Sequence, residues 1–266
     1  MDIDALTLAY FSPTRTTRRI VEAVALGLEA PRVRTLDLTP AEREPQSFAR
    51  DPRGLTVIGA PVYAGRLPAD MVARLRALGP GSGPAVVVVA YGNRAYEDAL
   101  LELADLAREA GFTPVAAGAF IGEHSYSLDA APIAPGRPDP ADLAEARTFG
   151  GAVRGKLARA AALTDLAPVQ VPGNFPYKEA GLSAGLAPAV DEARCALCGE
   201  CVPLCPVGAI PAEDPLQTRA DRCIRCCACV KFCPTGARTL DHPRITQFRE
   251  FMARDHAAPK RPELFL

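Results

Sequence analysis

Up to residue 194 the chain has no cysteine; all nine cysteines lie between Cys195 and Cys233. Disulfide frameworks staple small secreted domains, and this distribution excludes one. It divides the chain into a large cysteine-free part and a dense cysteine block, and it assigns the cysteines to a metal. An excess of one charge is also missing: 30 basic residues meet 31 acidic ones, for a net charge of -1. That excludes an electrostatic track for DNA or RNA. Long apolar runs are missing too. Stretches such as PAVVVVAY at 84–91 fall far short of the roughly 20 residues a membrane span needs. The N-terminus is acidic and enters a strand almost at once, so the expectation is a cytoplasmic protein without a signal peptide. The length of 266 residues allows one domain with a sizeable core and a smaller companion.

What is present is alternation of strand and helix. Strands are expected at 4–10, 32–36, 55–63, 84–92 and 112–120, and helices at 16–29, 69–78, 96–111 and 140–161. The helix over 16–29 shows Ile20, Val21, Val24 and Leu28 near helical spacing. The valine-rich run at 84–92 reads as a strand buried on both faces. Pro140 opens the last helix, with Asp139 as its cap. Such alternation implies a parallel sheet covered by helices on both sides. The G-x-G-x-x-G fingerprint of dinucleotide binding is absent after the first strand. The boundaries follow as 1–162 for an α/β domain, 163–187 for a Pro/Gly/Ala-rich linker, 188–242 for the cysteine domain, and 243–266 for an extension with a short helix and an apolar end.

The cysteine block holds one spacing twice. Cys195, Cys198, Cys201 and Cys205-Pro206 are followed by Cys223, Cys226, Cys229 and Cys233-Pro234. Three cysteines at three-residue intervals can wrap a loop around one face of an iron–sulfur cube. Four thiolates also suit structural zinc, but zinc sites usually take two separated pairs. The segments VGAI at 207–210 and TGAR at 235–238 repeat each other, which implies internal pseudo-twofold symmetry and a tight turn at each glycine. Cys227 falls outside the spacing, either as a bystander or as a modulator of the adjacent centre. Arg222, Arg225 and Lys231 add positive charge near the second motif, as a solvated face, a tuning charge or a landing place for an acidic partner. The block resembles bacterial two-cluster ferredoxins. In that family the fourth cysteine of each motif ligates the other 4Fe–4S cluster. The resemblance implies one cluster on Cys195, Cys198, Cys201 and Cys233, and the other on Cys205, Cys223, Cys226 and Cys229.

The loop after the first strand, FSPTRTT, carries hydroxyls at Ser12, Thr14, Thr16 and Thr17. Backbone amides at a tight turn and helix N-terminus, with neutral hydroxyls, can surround a monophosphate; an ordinary turn with an N-cap reads similarly. Two further loops follow later strands: Pro61, Val62, Tyr63, Ala64 and Gly65, then Tyr91, Gly92, Asn93, Arg94 and Tyr96. Both lie where open α/β sheets bind ligands, although Tyr63 and Tyr91 could equally be core residues at the sheet end. The three loops together resemble those of flavodoxins, and the resemblance implies a five-stranded, flavodoxin-like doubly wound sheet that binds FMN. Tyr63, Ala64 and Gly65 would line one side of the flavin ring, Gly92, Asn93 and Arg94 the other, and Tyr96 would close over it. His124, in the loop after the fifth strand, would contact the flavin or donate a proton. Arg15 stands where the family pattern has glycine. A left-handed backbone there costs arginine about 1 kcal/mol; otherwise its guanidinium is free to fold over the phosphate or reach solvent or a partner.

As a whole the chain resembles fusions of a flavodoxin-like domain with a small α+β two-cluster ferredoxin domain, known in anaerobes. The resemblance implies electron transfer between two 4Fe–4S clusters and FMN, with a redox partner protein as donor or acceptor. The alternatives are an FMN-dependent oxidoreductase acting on a quinone-like small molecule, and an FMN-free docking module of a larger redox complex.

Overall fold

The structure is a computed structural model. It describes every residue except 49, 50, 52, 180 and 182–184, the last four falling in the expected linker. Five parallel strands form the main sheet: β1 (Ala5–Tyr10), β2 (Arg32–Asp37), β3 (Gly54–Pro61), β4 (Pro84–Tyr91) and β5 (Thr113–Ile121). Helices α1 (Thr16–Leu28), α2 (Ala69–Ala77), α3 (Ala99–Glu109) and α4 (Pro140–Ala158) make up the crossovers and the final cover. The strand order is β2-β1-β3-β4-β5, the flavodoxin-like order, with its ligand crevice at the carboxyl ends of the strands.

β4 is wholly buried because its side chains alternate between two cores. Val87 and Val89 join Met71, Leu75 and Leu103 on the α2/α3 face. Val86 and Val88 join Ile20, Val24 and Phe149 on the α1/α4 face. Pro114 cannot donate to the ladder, and the β4–β5 register slips beside it, between Ala85 and Val86. Asp139 caps α4 as expected: its Oδ1 accepts from the amides of Ala141 at 2.8 Å and Asp142 at 2.9 Å.

A sixth strand departs from the five-stranded expectation. It comes from the C-terminal extension, where α7 (Pro243–Asp255) precedes β8 (Glu263–Phe265). β8 pairs antiparallel with β5, Phe265 opposite Ala117. The reason is an open edge: β5 is the last parallel strand, and the chain end supplies its missing partner.

The cysteine-rich unit contains β6 (Ala189–Val190), α5 (Cys201–Leu204), α6 (Ala228–Lys231) and β7 (Arg238–Thr239). β6 and β7 pair antiparallel, so the start of the first motif returns beside the end of the second. The linker region clasps the sheet domain. Val169 donates to Pro114 O at 2.8 Å, and the Tyr177 hydroxyl donates to Asp105 at 2.6 Å. Asp98 receives the amides of Asn174 and Lys178, at 2.9 and 2.8 Å. Among the described residues no helix is long and apolar enough to cross a membrane.

Candidate functional site

The β1–α1 loop enters its helix through Arg15, whose φ of 63° is left-handed. The backbone requirement anticipated for glycine is therefore real, and arginine meets it. Ser12 Oγ accepts from the Arg18 amide at 3.0 Å, and the Ser12 amide donates to Thr39 Oγ1 at 2.8 Å. Thr14 Oγ1 and Thr16 Oγ1 lie 3.4 Å apart. Among the described residues, no protein acceptor takes the backbone N–H of Thr14, Thr16 or Thr17. The Arg15 guanidinium sits over the Phe232 ring, 4.4 Å from its centroid, and so reaches the cysteine-rich unit.

This loop opens into a cavity of about 580 Å³, within the range of small-molecule and cofactor sites. Ser12, Thr14, Thr16 and Thr17 line it, as do Pro61 to Gly65, Tyr91, Gly92, Arg94 and His124. The 63–66 turn is closed by reciprocal backbone bonds between Tyr63 and Arg66. Gly92 is required by close approach: a Cβ there would stand 2.3 Å from His124 Cδ2.

Three of the expected residues do not line the cavity. Arg15 is turned to Phe232. Asn93 is 1% exposed, and its amide nitrogen donates to His256 O at 2.6 Å and Ala258 O at 3.0 Å. The Tyr96 hydroxyl donates to Glu263 at 2.7 Å, with its ring edge-on to Tyr91. Asn93 and Tyr96 thus fasten the C-terminal extension over the strand ends.

That extension supplies part of the wall. Phe248, Phe251, Met252 and His256 line the cavity, as do Ile224 and Arg225 of the second cysteine motif. For Phe248, Phe251 and Met252 the signal is apolar residues at helical spacing in α7; what they pack against needs three dimensions. His124 packs edge-on to Tyr126 at 5.0 Å and tilted on Phe248 at 5.7 Å. Its Nδ1 accepts from the Tyr126 amide at 3.0 Å. By surface area His124 is half-buried, because one edge faces the cavity. Enclosure by protein, then the charges of Lys231 and Arg94, lowers its pKa to about 4. The imidazole is neutral at physiological pH, with its proton on Nε2. Burial also raises the Tyr63 phenol well above its ordinary range, and Cys226 and Cys227 act in the same direction.

The two cysteine motifs have one backbone written twice. Leu197 and Arg225, each two residues after a motif's first cysteine, have φ of 52° and 54°. Gly199 and Cys227, each following a second cysteine, have φ of 72° and 58°. Gly208 and Gly236, in the repeated tetrapeptides, have φ of 59° and 61°. Cys227 therefore holds the place of a glycine; its thiol is buried with Leu240 and Ile245. Left-handed curls turn successive amides inward, which suits thiolate-held anionic centres. The Ala209 amide donates to Cys205 Sγ at 3.1 Å. Burial opposes ionisation of Cys233, but amides of Arg238, Thr235 and Ala237 and the Thr235 hydroxyl outweigh it and hold the thiol below its usual range.

Cys201 and Cys223 pack against a core formed by Cys205, Val207, Ala209, Ile210 and Cys229. Cys205, from the first motif, therefore lies with cysteines of the second. Among the described residues no three His, Cys, Asp or Glu side chains form a single-ion site.

The unit is pinned to the ligand end of the sheet. Arg74 donates to Leu38 O at 2.8 Å, Thr39 O at 2.9 Å and also Pro206 O. Lys231 pairs with Glu123 and donates to Ser127 O at 3.3 Å. Arg225 is 7% exposed. With Arg225 buried and Lys231 paired, positive charge near the second motif does not form a wholly solvated face.

Models of the 4Fe-4S binding domain match residues 187–210 and 217–239. The chain thus carries two 4Fe–4S binding motifs beside a flavodoxin-like sheet. No curated protein matches it. Among solved structures it is similar to a flavodoxin from the domain Archaea, at 17% identity and TM-score 0.39, covering 58% of this chain and 99% of that one. It is also similar to the Flv1 flavodiiron core from Synechocystis, at 14% identity and TM-score 0.41, covering 59% of this chain and 37% of that one. An NAD(P)H:quinone oxidoreductase from Methanothermobacter marburgensis gives 16% identity and TM-score 0.36, covering 57% of this chain and 99% of that one. The flavodoxin-like description stands on the strand order of the sheet.

Proposed function

We propose that this chain is an electron-transfer protein in which two 4Fe–4S clusters exchange electrons with an FMN held at the sheet's ligand end. One observation carries the reading. A single cavity is bordered by the hydroxyl loop, by both strand-end loops, and by Ile224 and Arg225 of a cysteine motif. The free amides of Thr14, Thr16 and Thr17 and the loop hydroxyls suit a monophosphate. Tyr63, Gly65 and Gly92 would border the flavin ring. Cys195, Cys198, Cys201 and Cys233 would hold one cluster, and Cys205, Cys223, Cys226 and Cys229 the other.

In this reading residues 1–162 are the flavin domain and 188–242 the cluster domain. The linker, 163–187, clasps the first, and the extension, 243–266, covers the cavity. Bound FMN supplies the ability to join one-electron and two-electron chemistry. The residues around it exclude water and keep His124 neutral. A redox partner protein is the donor or acceptor. Anaerobic purification with flavin extraction and iron counting tests this reading. The expected content is one FMN and about eight irons per chain; a chain that takes up iron but no FMN overturns it.

A second reading has its own observation. Tyr126, Phe248 and His124 form an aromatic wall on the cavity, with Tyr126 and Phe248 edge-on at 6.1 Å. Such a wall suits a planar, quinone-like acceptor stacked at the flavin. Reoxidation of the reduced protein by a panel of quinones separates this reductase from a pure relay. Acceptor-dependent rates that fall in Phe248→Ala support the reductase.

A further inference from the structure

We propose a division of labour between the two copies of the cysteine loop: the second, at Cys226, exchanges electrons with the flavin, and the first, at Cys198, is the port through which electrons enter or leave the protein. The inference rests on the flavin and cluster reading above. It adds an order, in which one cluster is proximal to the flavin and the other distal.

The two loops share a curled backbone, so equivalent positions can be compared directly. Leu197 is 63% exposed and its counterpart Arg225 is 7% exposed. Cys198 is exposed and its counterpart Cys226 is buried. Nothing in the repeated spacing distinguishes these pairs; the difference lies in what each loop meets. Ile224 and Arg225 form part of the cavity wall, together with Tyr63 and Gly92. Cys227 packs with Leu240 and Ile245 and against Tyr126, which closes the second loop off from water. Around the first loop, residues 191–194 and 196–198 are exposed.

Electron tunnelling weakens steeply with distance, so adjacency sets the route. With a one-electron carrier as donor, two carrier molecules are oxidised in turn. Each electron would pass from a cluster held at the Cys198 loop to one held at the Cys226 loop, and from there to the cavity. Bound FMN would take up two such electrons together with two protons from water. The reverse flow would use the same route.

The test uses the full chain loaded with iron and FMN. Electron paramagnetic resonance of the dithionite-reduced protein is recorded with and without an aqueous dysprosium chelate, which speeds relaxation of solvent-accessible clusters. Cys198→Ser and Cys226→Ser identify which signal belongs to which loop. If either variant loses its cluster, the surviving signal identifies the other. The Cys198-linked signal is expected to respond to dysprosium. The Cys226-linked signal is expected to resist it, and its potential is expected to shift when FMN is removed and return when FMN is restored. Leu197→Asp, a surface change on a left-handed position that aspartate tolerates, should lower the potential of the distal cluster alone. Reversed assignments, equal accessibility, or a shift of the distal potential on FMN removal overturn the proposed order. A protein without FMN instead overturns the underlying flavin reading, and the dysprosium response still reports which cluster faces water.

Discussion

The sheet domain and the cysteine-rich unit are held together by different physics. The sheet has a hydrophobic core on each face, and its central strand β4 is wholly buried. The cysteine unit has two-residue strands, four-residue helices and a small core built largely around cysteine, valine and alanine. A sheet of that kind gains the largest part of its stability from apolar burial. So small a unit needs a metal, and a neighbour adds to its stability without replacing the metal. The sheet supplies the neighbour, through Arg74, Lys231 paired to Glu123, and Arg15 on Phe232.

The largest expected effect tests that contrast. Removing iron with a chelator should abolish hydrogen-exchange protection across residues 188–242 while the amides of β4 keep theirs. Simultaneous loss in β4 would make the two regions one cooperative unit. Next is a change aimed at the sheet. Phe120 is fully buried and meets Phe149 edge-on at 6.1 Å. Phe120→Ala should cost about 3–5 kcal/mol in denaturant unfolding and leave cluster absorption unchanged before the transition.

A smaller effect comes from pH. His124 has its folded pKa lowered to about 4, by burial first, against about 6.5 unfolded. Within that window the unfolded chain binds more protons, so stability falls as the pH drops from 6.5 toward 4 and is unaffected above it. The slope from this one group is at most about 1.4 kcal/mol per pH unit. His124→Gln should flatten it in unfolding curves. The smallest effect is at the joint between the regions. Arg15→Gly relieves about 1 kcal/mol of left-handed strain and gives up about 0.5–1 kcal/mol of cation–π attraction. The melting temperature should barely move, and a large drop would show that the Arg15–Phe232 contact carries more of the joint than its exposure allows.

Much of this architecture was legible in the sequence because its signals are local. The valine run of β4, the Asp139 cap and the turns at Gly208 and Gly236 each depend on residues near in sequence. Positive φ at Arg15 was open to question and is observed. The roles of Asn93 and Tyr96 were not legible. As neighbours of Gly92 they read as ligand contacts, yet their side chains bind the segment around His256, Ala258 and Glu263, more than 160 residues away. β8 was missed for the same reason: a three-residue strand has no period of its own and exists because β5 offers an edge.

The sequence by itself determined the alternating α/β domain, the doubled cysteine spacing and the tight turns at Gly208 and Gly236, since these follow from side-chain periodicity, residue spacing and backbone sterics. Only the tertiary structure decided which of two equivalent cysteine loops faces the cavity and which faces water. Leu197 and Arg225 have nearly the same φ. Their burial differs because the sheet domain and α7 cover one copy and leave the other exposed, a long-range asymmetry that local repetition cannot encode.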